Sequence, residues 1–154
     1  MTGASDELRD LYQEVILDHN KRPRNCRAVA QPSSRADGFN PLCGDKVTVF
    51  LALAGDRIED VAFQGSGCAI STASASMMTE ALKGKTAAEA EALFSRFHAM
   101  LTSAPGQAAD ASGLGKLAAF SGVCEFPARV KCATLAWHTF KAALDMKQDV
   151  VSTE

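Results

Sequence analysis

Three short stretches carry the residues able to do metal or sulfur chemistry: NPLCGD at Asn40–Asp45, GSGC ending at Cys68, and ARVKC ending at Cys132. Asn40 and Pro41 favour a turn, because proline fixes its own φ and pushes the preceding residue away from helix. Gly44 permits a sharp reversal, so Cys43 and Asp45 can point at one spot from a single loop. A thiolate and a carboxylate two positions apart suit a zinc-type ion, which takes both sulfur and oxygen donors. Two donors do not close a tetrahedron. Cys68 and Cys132 are the best candidates to complete it.

The elements around these residues decide whether they can meet. Val47–Leu53 and Arg57–Gln64 are short, rich in Val, Phe and Ile, and separated by Ala54-Gly55-Asp56, which predicts a hairpin. Cys43 and Asp45 precede its first strand and Cys68 follows its second, so antiparallel pairing brings all three to one end. Ala69–Leu82 has Ile70, Ala73, Met77, Met78 and Ala81 at helical spacing, with Cys68 at the positive end of that helix. Ser71, Thr72, Ser74 and Ser76 dilute its helix propensity, so packing must support it. A last helix from about Pro127 to Met146 carries Cys132 in its first turns. Arg129 and Lys131 bracket that thiol and are expected to lower its pKa.

The remaining elements read as scaffold. Ser5 is an expected N-cap, with Asp6 and Glu7 after it, for a helix over 6–20 whose stripe is Leu8, Leu11, Tyr12, Val15 and Ile16; Pro23 stops it. Residues 22–35 read as an irregular tether containing Cys26, a bystander thiol. Thr86 and Glu89 form an expected capping box for a helix over about 87–101, where His98 reads as a surface or packing residue. Residues 102–112 read as an exposed loop, followed by a short helix over Leu114–Ser121 closed by Gly122. Cys124 reads as a non-ligand, His138 should face away from Cys132, and Asp149–Glu154 is expected to fray.

The chain has 154 residues, enough for one domain spanning 1–154, and a net charge of −2 with no basic run, which disfavours nucleic acid and anionic membrane as partners. No apolar stretch approaches a membrane span, and the first twenty residues carry acids where a signal peptide needs a basic start. Five cysteines, an odd number, argue against a disulfide framework and for reduced thiols in the cytoplasm.

The segments LYQEVILDHNKRPRN, NPLCGD, GSGCAISTASASMM and FPARVKCATLAW resemble the U-type iron–sulfur cluster assembly proteins related to NifU and IscU, specifically their SufU branch, over about Leu8–Met146. The resemblance implies an α+β fold: a small antiparallel sheet of about three strands packed against a layer of helices, with a metal site at one end. The third strand falls near residues 35–41. It implies Cys43, Asp45, Cys68 and Cys132 as metal ligands, the same set reached from spacing. Lys131 stands where IscU-type scaffolds have a histidine, and the segment near 102–122 is longer than theirs; both features are SufU-like. The branch implies a zinc-dependent sulfurtransferase that takes persulfide sulfur from a SufS-type cysteine desulfurase and serves downstream iron–sulfur scaffold proteins. Cys43, on an open loop, is then the expected sulfur acceptor, and Arg129, in the shared motif, an expected catalytic partner. The alternatives are a scaffold on which a [2Fe–2S] cluster is assembled from iron, and a zinc-stabilised binding module without chemistry.

Overall fold

A three-stranded antiparallel sheet in the order β1-β2-β3 is built from β1 (Ser34–Asn40), β2 (Asp45–Ala54) and β3 (Arg57–Ser66). The computed structural model describes residues 3–103 and 112–153. The register pairs Asn40 with Asp45 across the first turn and Lys46 with Ser66 on the other side of β2, with an irregularity between Ala52 and Leu53. Turn 41–44 and the exit of β3 therefore share one end of the sheet, as the hairpin pattern requires. The strand implied near 35–41 is β1, shifted one residue toward the start of the chain.

Four α-helices and one 3-10 helix complete the described chain: α1 (Gly3–Lys21), α2 (Ala69–Leu82), α3 (Ala87–Leu101), the 3-10 helix Gly115–Glu125, and α4 (Pro127–Leu144). The fold is α+β. Val47, Val49, Leu51, Ile58, Val61 and Phe63 of the sheet join one core with Met78, Leu82, Leu135, Trp137 and Phe140 of α2 and α4. Burying side chains of this size supplies about 1.5–3 kcal/mol each, the main force holding helices to sheet. Trp137 is fully buried, lies 4.6 Å from Phe97 ring to ring, and donates from Nε1 to Ser74 Oγ at 3.1 Å.

The serines that dilute α2's propensity turn out to wire the helices together. Ser74 Oγ donates to the Ala133 carbonyl at 2.6 Å, tying α2 to α4. Ser76 Oγ lies 2.7 Å from His19 Nδ1 of α1 and accepts from the Arg24 amide at 2.8 Å. A buried hydroxyl with two partners costs little, whereas an unpaired one would cost a few kcal/mol.

Three sequence expectations are corrected. The 3-10 helix runs through Gly122 to Glu125, because Gly122 does not adopt the positive φ that would end it. The segment after α4 does not fray: Phe39 donates to the Val151 carbonyl at 2.8 Å, and Val151 donates back to Asp37 at 2.9 Å. α1 starts at Gly3, ahead of the expected cap; the side chains of Ser5, Asp6, Glu7 and Leu8 lie outside the described residues, as does most of the loop expected over 102–112. The Thr86–Glu89 capping box is present in both directions, and the boundaries of α2 and α3 match the spacing. On the outer side of β3, Ile58 exchanges hydrogen bonds with Gly84 and Lys85, and Phe63 donates to the Asn25 carbonyl. No described helix is long and apolar enough to cross a membrane.

Candidate metal centre

Turn 41–44 is closed by the Gly44 amide, which donates to the Asn40 carbonyl at 2.8 Å, with Gly44 at φ +73°. That left-handed step suits glycine and projects Cys43 outward beside Asp45, the first residue of β2. Asp45 is fully buried and Cys43 exposed. The Cys43 thiol donates to Asp45 Oδ2 at 3.4 Å.

Cys68 arrives from the other strand. The backbone after β3 passes directly over Asp45, and a Cβ on Gly67 would lie 2.5 Å from Asp45 Oδ1. Without side chains there, the Cys68 amide reaches Oδ1 at 2.9 Å, and its Sγ stands 3.9 Å from Oδ2. Cys68 is also the N-cap of α2, its sulfur accepting from the Ser71 amide at 3.4 Å.

Cys132 comes from α4. It is 7% exposed, and its Sγ lies 4.0 Å from Cys43 Sγ. Cys43 and Cys132 sulfurs and a carboxylate oxygen of Asp45 lie within 4.8 Å of one another. Burial, reinforced by Asp45 and Cys68 alongside, pushes the Cys132 thiol far up from its ordinary range. This corrects the expectation of a lowered pKa. Cys132 is the sixth residue of α4, beyond the first turn where the dipole acts, and Arg129 is engaged elsewhere, its guanidinium 4.4 Å from the Phe126 ring centre. A divalent ion inverts that logic, because it displaces the thiol proton outright.

The donor set fits zinc. With zinc–sulfur bonds of about 2.3 Å, tetrahedral ligand atoms stand about 3.8 Å apart. The 4.0 Å Cys43–Cys132 and 3.9 Å Cys68–Asp45 separations are close to that edge length. The tight group is Cys43, Asp45 and Cys132, with Cys68 at its edge beside Asp45, and sulfur donors next to a carboxylate oxygen match zinc's borderline softness.

The other flagged residues lie apart from this cluster. Cys124 Sγ donates to the Ser121 carbonyl at 3.3 Å, and Cys26 makes an isolated bridge beside Phe63. His138 packs edge-on against Phe94 at 5.0 Å and His98 at 5.6 Å. Burial, then the neighbouring His98, lowers the His138 pKa.

The thiols open onto a cleft of about 1140 Å³ lined by Tyr12 and Ile16 of α1, Leu42, Val123, Phe126 and Arg129. Leu42, next to Cys43, is 88% exposed and Phe126 is 45% exposed. Sequence reasoning missed this cleft, because α1, one of its walls, is distant in sequence from Cys68 and Cys132, and no local pattern shows that the 3-10 helix just before α4 faces the same thiols. It also missed Asn40 as more than a turn former: its side chain is fully buried.

Residues 11–145 match the family model described as the NifU-like N terminal domain. The chain is 46% identical over 130 residues to the zinc-dependent sulfurtransferase SufU of Bacillus subtilis (strain 168), covering 84% of this chain and 86% of that one. It is 42% identical over 147 residues to the iron–sulfur cluster assembly scaffold protein IscU of Streptococcus pyogenes serotype M1, covering 92% and 87%. Among solved structures, a candidate iron–sulfur cluster assembly scaffold protein for the SUF system (FiSufU) from thermophilic Fervidobacterium islandicum AW-1 superposes with a TM-score of 0.79 at 37% identity, covering 88% of this chain and 98% of that one.

Proposed function

The chain belongs to the NifU-like N-terminal domain family of iron–sulfur cluster assembly proteins, and from that membership we propose that it is a zinc-dependent sulfurtransferase acting in the cytoplasm. It accepts persulfide sulfur from a SufS-type cysteine desulfurase and passes it toward downstream scaffold proteins. The observation that carries this reading is the asymmetry of the thiols. Cys43 is exposed on a turn at the mouth of an apolar cleft; Cys68 is also exposed but is held as a helix cap by the Ser71 amide, and Cys132 is buried. Of the two exposed sulfurs, the one on the turn is not anchored to a helix.

Cys43, Asp45, Cys68 and Cys132 would hold the zinc. The ion supplies deprotonation of the thiols without redox chemistry of its own. The remaining steps belong to the chain. The exposed apolar rim, Leu42 and Phe126, seats the persulfide-bearing segment of the desulfurase and excludes water from it. The Cys43 thiolate attacks the outer sulfur of the persulfide, forming a new S–S bond at Sγ as the old S–S bond breaks. The electron pair leaves with the desulfurase cysteine as its thiolate, and the transferred sulfur stays on Cys43 as a persulfide. Arg129 lies at the cleft rim with its guanidinium over the Phe126 ring, and on docking of the desulfurase it offers positive charge to the incoming persulfide.

The test is mass spectrometry after mixing with a SufS-type desulfurase and cysteine. One added sulfur on Cys43, in a colourless protein holding about one zinc per chain, is the expected result. Persulfide on Cys68 or Cys132 with Cys43 unmodified rejects the assignment. The scaffold reading is favoured by the name of the streptococcal relative, and Lys131 in the place of a histidine ligand weighs against it. Near-stoichiometric iron with visible charge-transfer bands would select it instead.

A further inference from the structure

The segment after α4 returns to the metal centre from behind. Beyond the Val151 pairing with β1, the Thr153 amide donates to Asn40 Oδ1 at 2.9 Å, and Asn40 Nδ2 donates to Thr153 Oγ1 at 2.8 Å. The same Thr153 hydroxyl donates to the Lys131 carbonyl at 2.8 Å. Ser152 Oγ adds a 3.2 Å contact to Asn40 Oδ1. These partners are not generic surface groups. Asn40 is fully buried and its carbonyl closes the turn that presents Cys43, while Lys131 immediately precedes Cys132.

We infer that Thr153, acting through Asn40 and the Lys131 carbonyl, is a positioning residue that sets the distance between Cys43 and Cys132. A single hydroxyl joins the root of the turn to the second turn of α4, so the two sulfurs are referenced to one fixed point. Asn40 Nδ2 lies 3.5 Å from the Lys131 carbonyl, too long to hold the two segments firmly by itself. Without the hydroxyl, the buried Asn40 amide loses its best partner and its link to α4, while the Lys131 carbonyl keeps its place in the helix, and the cheapest relief is movement of the turn. Cys68 is outside this clamp, because it is fixed by Asp45 and the N-terminus of α2. The consequence for metal rests on reading these side chains as ligands; the consequence for Cys43 mobility does not.

The experiment compares wild type, Thr153→Val and Thr153→Ser. In metal-free, fully reduced protein, the alkylation rates of Cys43 and Cys68 are read by mass spectrometry. Thr153→Val should raise the Cys43 rate about fivefold and leave Cys68 unchanged, and Thr153→Ser should restore the wild-type rate. In zinc-loaded protein, transfer of zinc to a chelator should speed up by a similar factor in the valine variant alone. Equal Cys43 rates in wild type and Thr153→Val overturn the inference. So does a parallel rise at Cys68, which signals general loosening, or a serine variant that behaves like valine. Wild type that holds no zinc defeats the proposed function, while the alkylation comparison still decides the clamp.

Discussion

At the scale of single residues, the division of labour among five thiols follows from what each sulfur touches. Cys43, Cys68 and Cys132 gather around Asp45, whereas Cys124 is satisfied by the Ser121 carbonyl and Cys26 lies beside Phe63. The Cys26→Ala, Cys124→Ala double variant should keep sulfur transfer and metal content within about twofold of wild type. A large loss of transfer with zinc retained, measured by sulfide release and metal analysis, would make one of them a second relay thiol. The grouping of Cys43 with Asp45 was legible in the sequence because both sit in one six-residue motif. The role of Asn40 was not legible, because its partners lie on Lys131 and Thr153, about a hundred residues away, and no local pattern marks them.

At the scale of elements, the hairpin and the helix limits were written locally. Alternation, apolar spacing and a capping box are short-range signals, and the structure follows them at β2, β3, α2 and α3. β1 was not local. Its sequence SRADGFN is polar, and what fixes it is close packing: a Cβ on Gly38 would collide with Thr139 of α4. The same kind of constraint governs the exit of β3. Gly67→Ala would push against the Asp45 carboxylate, so zinc affinity should fall by about 10- to 100-fold while metal-free melting changes little. Competition with a chromophoric chelator measures this. Unchanged affinity would remove Asp45 from the ligand set.

At the scale of the whole molecule, two histidines, His19 buried and His138 half-buried, link stability to pH. Burial lowers the His19 pKa below 6.5, reinforced by Arg24 and opposed by Glu80, and burial likewise lowers that of His138. The unfolded chain then binds more protons than the folded one once pH drops below about 6.5, so stability must fall with acid. Metal-free protein should melt roughly 2–4 °C lower at pH 5.5 than at pH 7, and His19→Asn should flatten that slope. A pH-independent melting point over this range would show that neither histidine is held neutral. The pairing of Val151 with β1, and of Asn25, Gly84 and Lys85 with β3, has a different reach. Both outer strands of a small sheet would otherwise offer a ladder for any extended chain to extend. Here the protein's own backbone already takes Asp37 and Phe39 on one rim and Ile58 and Phe63 on the other, which works against recognition by strand addition. A partner must read side chains instead, and self-templated growth of sheets from the folded state has no free edge on which to begin at these positions.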